Sequence, residues 1–262
     1  MKRFRLAVLI VVVLFVGLLA FLWFSEGGAE IARWSTEEGG IRWSWSAEIL
    51  KVIFPLIASV MLLWQGFLGN ILQTVKTAVL LIGAGVLSLT VGASWEFFLR
   101  LGGTDPGPSS PGTIFFVIGA ILVAWALFEF PRSLRANLRK NLQPWFYMLL
   151  GIAIVATAWI LVSSSIKTDV DATEVIIKTA YALLTLIIFA GALRCAMVFF
   201  EGKIGRPFLM IAIGGLMVFT YEYIIWLPKG DITFSVFHPI QMLWIGCFIF
   251  VSLGAYDLTL TD

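Results

Sequence analysis

Eight apolar runs dominate the sequence, and each is about as long as a membrane-spanning helix. They cover residues 6–24, 49–69, 77–99, 113–130, 145–164, 175–200, 207–227 and 237–257. Crossing a hydrocarbon core of about 30 Å takes roughly 20 apolar residues in a helix. Helices are expected because an open strand edge cannot face lipid, and the runs lack the alternation typical of barrel strands. The sequence therefore predicts an all-α, polytopic transmembrane helical bundle of about eight spans.

The composition favours the same class of protein. Of the 262 residues, 60 % are hydrophobic and only 13 % are charged, whereas an ordinary soluble domain is about 45–50 % apolar. So few charges could not cover that much apolar surface in water. The formal net charge of +2 is small and spread among the loops, which argues against nucleic acid as a partner. We predict a single integral membrane domain, residues 1–262, with the lipid bilayer and other membrane protein chains as its partners.

The first apolar run resembles a signal sequence because three cations precede it. Its length, residues 6–24, exceeds the roughly 7–15 apolar residues of a cleaved signal, and no clear Ala-x-Ala site follows it. We predict an uncleaved N-terminal helix; cleavage, leaving seven spans, is the alternative. Residues 25–48 carry five glutamates and three tryptophans, so we expect an extracytoplasmic interfacial segment. A docking surface for another protein is its alternative role. Residues 49–257 form the predicted bundle.

A short basic loop sets the predicted orientation of the chain. The loop from Pro131 to Pro144 carries four cations and no acid between two apolar runs. Those cations are Arg132, Arg135, Arg139 and Lys140. Lys and Arg in short loops beside membrane spans stay on the cytoplasmic side. We therefore predict a multi-pass protein of the cytoplasmic membrane with both termini in the cytoplasm.

A faint repeat suggests three tandem helical hairpins after two N-terminal helices. Gly119 precedes Glu129, and Gly191 precedes Glu201, by the same spacing at the ends of two runs. The preceding runs carry similar glycines, namely Gly83, Gly85, Gly151, Gly214 and Gly215. Small residues let helices approach closely, so these glycines are expected to mark packing faces.

Polar residues inside apolar runs are the candidate functional residues, because an ionisable group at membrane depth costs at least a few kcal/mol. The candidates are Glu222, Glu96, Arg194, Glu129, Glu201 and Gln241. Glu96 lies four residues before Arg100, and this spacing predicts an interfacial ion pair. Glu174 and Lys178 have the same spacing and are also expected to pair at the interface. Glu222 has no cation one turn away, so an interfacial position and a substrate or proton site both stay open.

The other candidates lie nearer the ends of their runs. Arg194 is expected either to extend its head group to the inner interface or to meet Glu129 and Glu201 in an inner-leaflet cluster. Gln241 is placed to hydrogen-bond another helix.

Signatures of catalysis are missing from the sequence. Gly-x-Ser-x-Gly, His-Glu-x-x-His and Walker-type motifs do not occur. The single histidine, His238, excludes a histidine-based metal or haem centre, and Cys195 and Cys247 lie in apolar runs as expected of small buried side chains. We predict no catalytic, cofactor-binding or metal-ligating residues and no cofactor.

Three functions are compatible with this pattern. The favoured one is a non-catalytic membrane subunit, scaffold or sensor-like module that acts through other membrane protein chains. The alternative is a small-molecule or ion transporter that uses Glu222, Glu96 or Arg194. A lipid-modifying membrane enzyme is the second alternative, although such chemistry usually requires clustered acids or histidines.

Overall fold

The structure is a computed structural model that describes residues 41–69, 73–102, 104, 110–134, 136–166, 172–200, 205–226 and 241–258. Every regular element within these ranges is an α-helix. The helices are α1 Ile41–Leu68, α2 Gln73–Leu101, α3 Pro111–Ser133, α4 Gln143–Ile166, α5 Ala172–Val198, α6 Gly205–Trp226 and α7 Gln241–Leu258. The prediction of an all-α bundle is confirmed for these residues.

Seven of the eight apolar runs coincide with these helices, and the run at 6–24 lies outside the described residues. Five described helices are long and apolar enough to cross a membrane. Their candidate spans are Glu48–Leu68, Val75–Leu101, Pro111–Arg132, Gln143–Ser163 and Ala172–Val198. The stretch Leu243–Leu258 is a shorter apolar helix. The total of eight spans stays a prediction.

The start of α1 differs from the sequence prediction. The helix begins at Ile41 instead of near residue 49, so the last turns of the expected interfacial segment are helical. The predicted boundary at residue 49 was placed where the apolar run begins. The tryptophans and charges before it interrupt that run, so these helical turns were not predicted. The practical consequence is that Glu48 lies inside a helix that packs against its neighbours.

Six of the seven helices form a closed ring. In order around it, α1 packs against α2, α2 against α3, α3 against α5, α5 against α6, α6 against α7, and α7 against α1. One continuous apolar core joins these helices, with Phe130, Phe208 and Phe248 among its most deeply buried side chains. The ring therefore brings together residues that are far apart in the sequence.

Paired glycines bring α2 and α3 into backbone contact. A Cβ atom added to Gly119 would lie 2.6 Å from the Gly85 carbonyl oxygen, and one added to Gly92 would lie 2.8 Å from the Gly112 carbonyl oxygen. Between these two pairs, Ser88 Oγ donates a hydrogen bond of 2.8 Å to the Phe115 carbonyl. These two glycine pairs, hereafter the glycine seam, leave no room for side chains, as expected of close helix approach.

Glycines mark other helix contacts as well. A Cβ on Gly215 would lie 3.0 Å from the Phe189 Cα, and one on Gly191 would lie 2.9 Å from the Phe128 ring. The α6–α7 contact depends on Gly214, where an added Cβ would lie 2.8 Å from the Cys247 carbonyl oxygen. The expectation that glycines mark packing faces agrees with the structure at these positions.

Helix α4 is the exception to this pattern. It lies outside the ring and packs mainly against α5, and only 11 % of its candidate span is buried, against 56 % for α2. A Cβ added to Gly151 would meet nothing within 4 Å among the described residues. Gly151 therefore has no packing partner among the described helices, unlike the other glycines that were expected to mark packing faces. Of the three predicted hairpins, the α4–α5 pair is the most loosely packed.

Candidate polar site and the basic end of the bundle

A group of four charged side chains joins the ends of α1 and α2. Arg100 Nη1 lies 2.6 Å from Glu48 Oε2, and Lys51 Nζ lies 2.9 Å from Glu48 Oε1. Arg100 Nη2 is 3.8 Å from Glu96 Oε2, which agrees with the predicted pair. We refer to Glu48, Lys51, Glu96 and Arg100 as the α1–α2 ion cluster. Its central member is Glu48, because that carboxylate accepts from both cations.

Glu48 is only 9 % exposed, so its charge needs protein partners. Removing a carboxylate from water costs several kcal/mol, which close pairing with cations offsets. The helical spacing supplies Lys51 from the same helix, and the α1–α2 contact supplies Arg100 from the next one. Glu48 was not predicted as a site residue because it lies beyond the edge of its apolar run.

Helices α5 and α6 bring further polar groups towards this cluster. Glu222 on α6 is 5 % exposed. The hydroxyl of Tyr181, on α5, lies within electrostatic range of the carboxylates of Glu222 and Glu96, and Tyr221 lies within range of Glu222, Glu96 and Glu48. The structure therefore brings the predicted candidates Glu96 and Glu222 to one end of the ring, from opposite sides.

Aromatic rings enclose this polar region on the side of α7. The Trp244 ring lies 5.7 Å from the Tyr221 ring and 6.0 Å from the Phe116 ring, measured between centroids. Phe116 in turn lies 6.1 Å from the Tyr181 ring. Trp244 Nε1 is buried and has no hydrogen-bond partner among the described residues. The site is thus an assembly of carboxylates, two cations and aromatic rings contributed by all six ring helices.

The polar site is rich in acids. Among the described residues it contains three carboxylates, those of Glu48, Glu96 and Glu222, and two cations, Lys51 and Arg100. Carboxylates in an apolar setting can hold a proton or a cation, and tyrosine hydroxyls can donate to them. No group of three or more His, Cys, Asp or Glu side chains is placed to hold a metal ion in the described ranges.

Arg194 lies towards the opposite end of the ring, where it is 3 % exposed. Its Nη1 donates a 3.3 Å hydrogen bond to the Phe128 carbonyl, and the guanidinium carbon lies 5.9 Å from the centre of the Phe128 ring. Glu129 is instead 52 % exposed and lies 3.8 Å from Arg132. The structure therefore does not pair Arg194 with Glu129, and Glu201 lies outside the described residues.

A proline explains why α5 donates hydrogen bonds to α3 at this level. Pro131 has no backbone N–H, so it leaves the Leu127 carbonyl four residues earlier without its helical partner. Cys195 Sγ lies 3.1 Å from that carbonyl oxygen and supplies the missing hydrogen bond. In a membrane, neighbouring helices commonly satisfy backbone groups freed by proline. From the sequence, Cys195 was expected to be only a small apolar side chain.

The basic loop is an ordered element that caps the same end of the bundle. Leu138 is 5 % exposed and belongs to the buried side chains, while the Ala136 amide donates a 2.9 Å hydrogen bond to the Pro131 carbonyl. Arg132, Arg139 and Lys140 are exposed. The loop thus presents cations to the exterior beside a buried leucine. Arg135 lies outside the described residues.

The remaining candidates are described only in part. Gln241 begins α7, but its side chain is outside the described part, as is His238. Lys178 and Glu174 form the ion pair predicted from their spacing.

Residues 73–197 match the model of PsiE, the phosphate-starvation-inducible E family. This stretch is just under half of the chain and runs from α2 to α5, with the basic loop near its middle. It contains Glu96, Glu129 and Arg194 but not Glu48 or Glu222. Neither a curated protein nor a solved structure matches the chain. The match and the five long apolar helices together identify a membrane protein.

Proposed function

We propose that the protein is a non-catalytic, multi-pass module of the cytoplasmic membrane that acts through a partner protein chain. In this proposal both termini and the basic loop face the cytoplasm, since Lys and Arg in short loops are retained there. The partner binds the exposed cations of the loop through acidic side chains of its own.

The observation that carries the proposal is that the basic loop combines a buried leucine with exposed cations. A loop that served only to connect α3 and α4 would not need a buried leucine, yet Leu138 is buried and the loop backbone is hydrogen-bonded to the end of α3. Arg132 lies 3.8 Å from Glu129 but is 72 % exposed, so a partner can reach its charge.

The buried hydroxyl groups support a non-catalytic role. Several of them donate to carbonyls of their own helices: Ser59 to Leu56 at 2.8 Å, Thr90 to Val86 at 2.9 Å, and Thr185 to Ala182 at 2.9 Å. Such bonds satisfy the hydroxyl locally and are typical of membrane helices. The α1–α2 ion cluster likewise uses its charges within the fold.

The family name supplies a physiological setting for the proposal. PsiE is named for induction by phosphate starvation, and the matched stretch contains the basic loop. We therefore propose that the module and its partner work together in cells that are short of phosphate.

A charge-removal experiment in native lipid tests this function. The tagged full-length protein is extracted into lipid nanodiscs from phosphate-limited cells, and the chains that copurify are identified after crosslinking. The loop variant carries Arg132→Gln, Arg139→Gln and Lys140→Gln. We expect a defined partner with wild type and at least a tenfold lower recovery with the loop variant.

The matched control removes the same number of cations from the predicted outer side, through Arg42→Gln, Lys167→Gln and Lys229→Gln. This control should recover the partner as wild type does. Equal recovery by wild type and the loop variant, or recovery of lipid alone, would contradict the proposal.

A proton- or ion-coupled transporter is the second candidate, favoured by one observation. The structure places the buried Glu222 and the half-buried Glu96 within electrostatic range of Tyr181 and Tyr221. Buried carboxylates beside hydroxyl groups are typical of proton pathways. Flux into proteoliposomes that is abolished by Glu222→Gln, and retained in the exposed-site control Glu129→Gln, would replace the first proposal with this one.

A further inference from the structure

The outward face of α4 forms an open apolar concavity. It has a volume of about 640 Å³ and is lined by Met148, Gly151, Ile152, Val155 and Trp159, among others. Trp159 is 74 % exposed and Val155 is 69 % exposed. Met148, Ile152, Val155 and Trp159 follow the spacing of four, three and four residues that is typical of a seam between two helices.

The position of Gly151 indicates that this face meets another helix. At every other glycine inside a described helix, an added Cβ would lie within 3.1 Å of a neighbouring atom; at Gly151 it would meet nothing within 4 Å. In this chain, glycines within helices occupy positions where another element approaches. Gly151 is likewise a glycine within an apolar helix, but it lacks a neighbour among the described helices.

The missing neighbour must be uncharged over most of a membrane span. No Asp, Glu, Lys or Arg occurs between Gln143 and Ile166, so α4 offers no ion pair to a partner. The chain itself contains one apolar run that has no assigned place: residues 6–24, which also carry no charge and lie outside the described residues.

We propose that residues 6–24 pack along the open face of α4 as a parallel helix. In the predicted topology both run from the cytoplasmic side outwards. The 16 residues 25–40 join this segment to α1 and can extend to about 55 Å. Packed helix axes lie about 8–10 Å apart, so a six-helix ring measures about 30 Å across. The connection is therefore long enough to reach from α1 to α4.

Aligning the two runs at their first residues, 6 and 145, gives a complementary contact. Val12 then lies at the level of Gly151, and Ala20 at the level of Trp159. Large side chains therefore oppose small ones at both levels, which allows helices to approach without voids. Val13 and Ile152 lie at one depth, which defines a pair for crosslinking.

Cysteine crosslinking of the full chain in membranes tests this contact. The background carries Cys195→Ser, which keeps a donor for the Leu127 carbonyl, and Cys247→Ala. Val13→Cys is combined with Ile152→Cys, and a second pair, Val16→Cys with Val155→Cys, covers the next turn. The matched control combines Val13→Cys with Ile121→Cys, a residue of α3 that is 48 % exposed.

We expect an intramolecular disulfide in both test pairs, formed at least ten times faster than in the control pair. A dimer formed by Ile152→Cys alone, without the intramolecular bond, would overturn the proposal and assign the face to a second copy. Absence of any crosslink in correctly inserted protein would assign it to lipid. A mature chain that lacks residues 6–24 by mass spectrometry would overturn it as well.

Discussion

The glycine seam between α2 and α3 and the open face of α4 use the same residue type with opposite results. At the seam, Gly85 and Gly119 place two backbones so close that an added Cβ on either would lie 2.7 Å or less from a carbonyl oxygen. On α4, Gly151 lies in a similar apolar run, yet no described atom approaches it within 4 Å. The glycines of both regions lie in apolar runs, so the sequence does not distinguish them. They differ in whether a described helix packs against them.

The difference shows where the stability of the ring is concentrated. In lipid, helices gain little from apolar contact as such, because lipid tails are equally apolar. Close backbone approach and interhelical hydrogen bonds must supply the association, and the seam has both, through its glycine pairs and the Ser88 hydroxyl. The α4 face has neither within the described residues. The ring should therefore tolerate changes on α4 that it cannot tolerate at the seam.

The largest effect is expected for Gly119→Leu. The new side chain would collide with the Gly85 backbone, which cannot rotate away, so we expect a loss of about 3 kcal/mol or more in the free energy of unfolding. Thermal unfolding in detergent measures this loss. Gly151→Leu is the control: it leaves every contact of the ring intact, so a smaller loss is expected even where residues 6–24 pack on that face, and an equal loss in the two variants would remove the distinction between the regions.

A smaller effect is expected at the α1–α2 ion cluster, where the ring is held by charge instead of glycine. Arg100→Gln removes the cation that lies 2.6 Å from Glu48 and leaves that buried carboxylate with Lys51. Because the Arg100 side chain is 37 % exposed, solvent reduces the cost to about 1–2 kcal/mol.

The control for the ion cluster is Arg132→Gln, which breaks an exposed pair and should change the unfolding midpoint very little. Urea or thermal unfolding of both variants provides the comparison. Indistinguishable midpoints would show that burial of Glu48 adds nothing to the stability of the ring.

A loss of about 1 kcal/mol is expected for Cys195→Ala, because the carbonyl of Leu127 freed by Pro131 then lacks a donor. Cys195→Ser should restore much of this stability. Ser163→Ala on α4 removes a bond of 3.2 Å within one helix and should have less effect. Should Cys195→Ser be no more stable than Cys195→Ala, the hydrogen bond would not be the cause.

Much of the helical layout could be predicted because apolar run length reports directly on membrane spans. The local ion pairs of Glu96 and Lys178 were also predictable, since residues four apart share a helix face. The start of α1 at Ile41 was not, because tryptophans and charges interrupt its first turns.

The rest of the candidate site depends on contacts between helices, which spacing within one helix does not encode. Nothing around Glu48 in the sequence indicates that Arg100 would approach it. Likewise, Arg194 was expected to extend to the inner interface or to meet acids, but it is buried and donates to the Phe128 carbonyl. One local signal could have located part of this contact: Pro131 necessarily frees the Leu127 carbonyl, and a donor on a neighbouring helix was required.

The most direct test of a ring that excludes α4 is to compare the unfolding midpoints of Gly119→Ala and Gly151→Ala in the same lipid nanodiscs. We expect a clear loss for Gly119→Ala, because even a methyl group would lie 2.6 Å from the Gly85 carbonyl oxygen. We expect no loss of ring stability for Gly151→Ala, since alanine favours helix over glycine by about 1 kcal/mol. Equal losses, or a larger loss for Gly151→Ala, would contradict it.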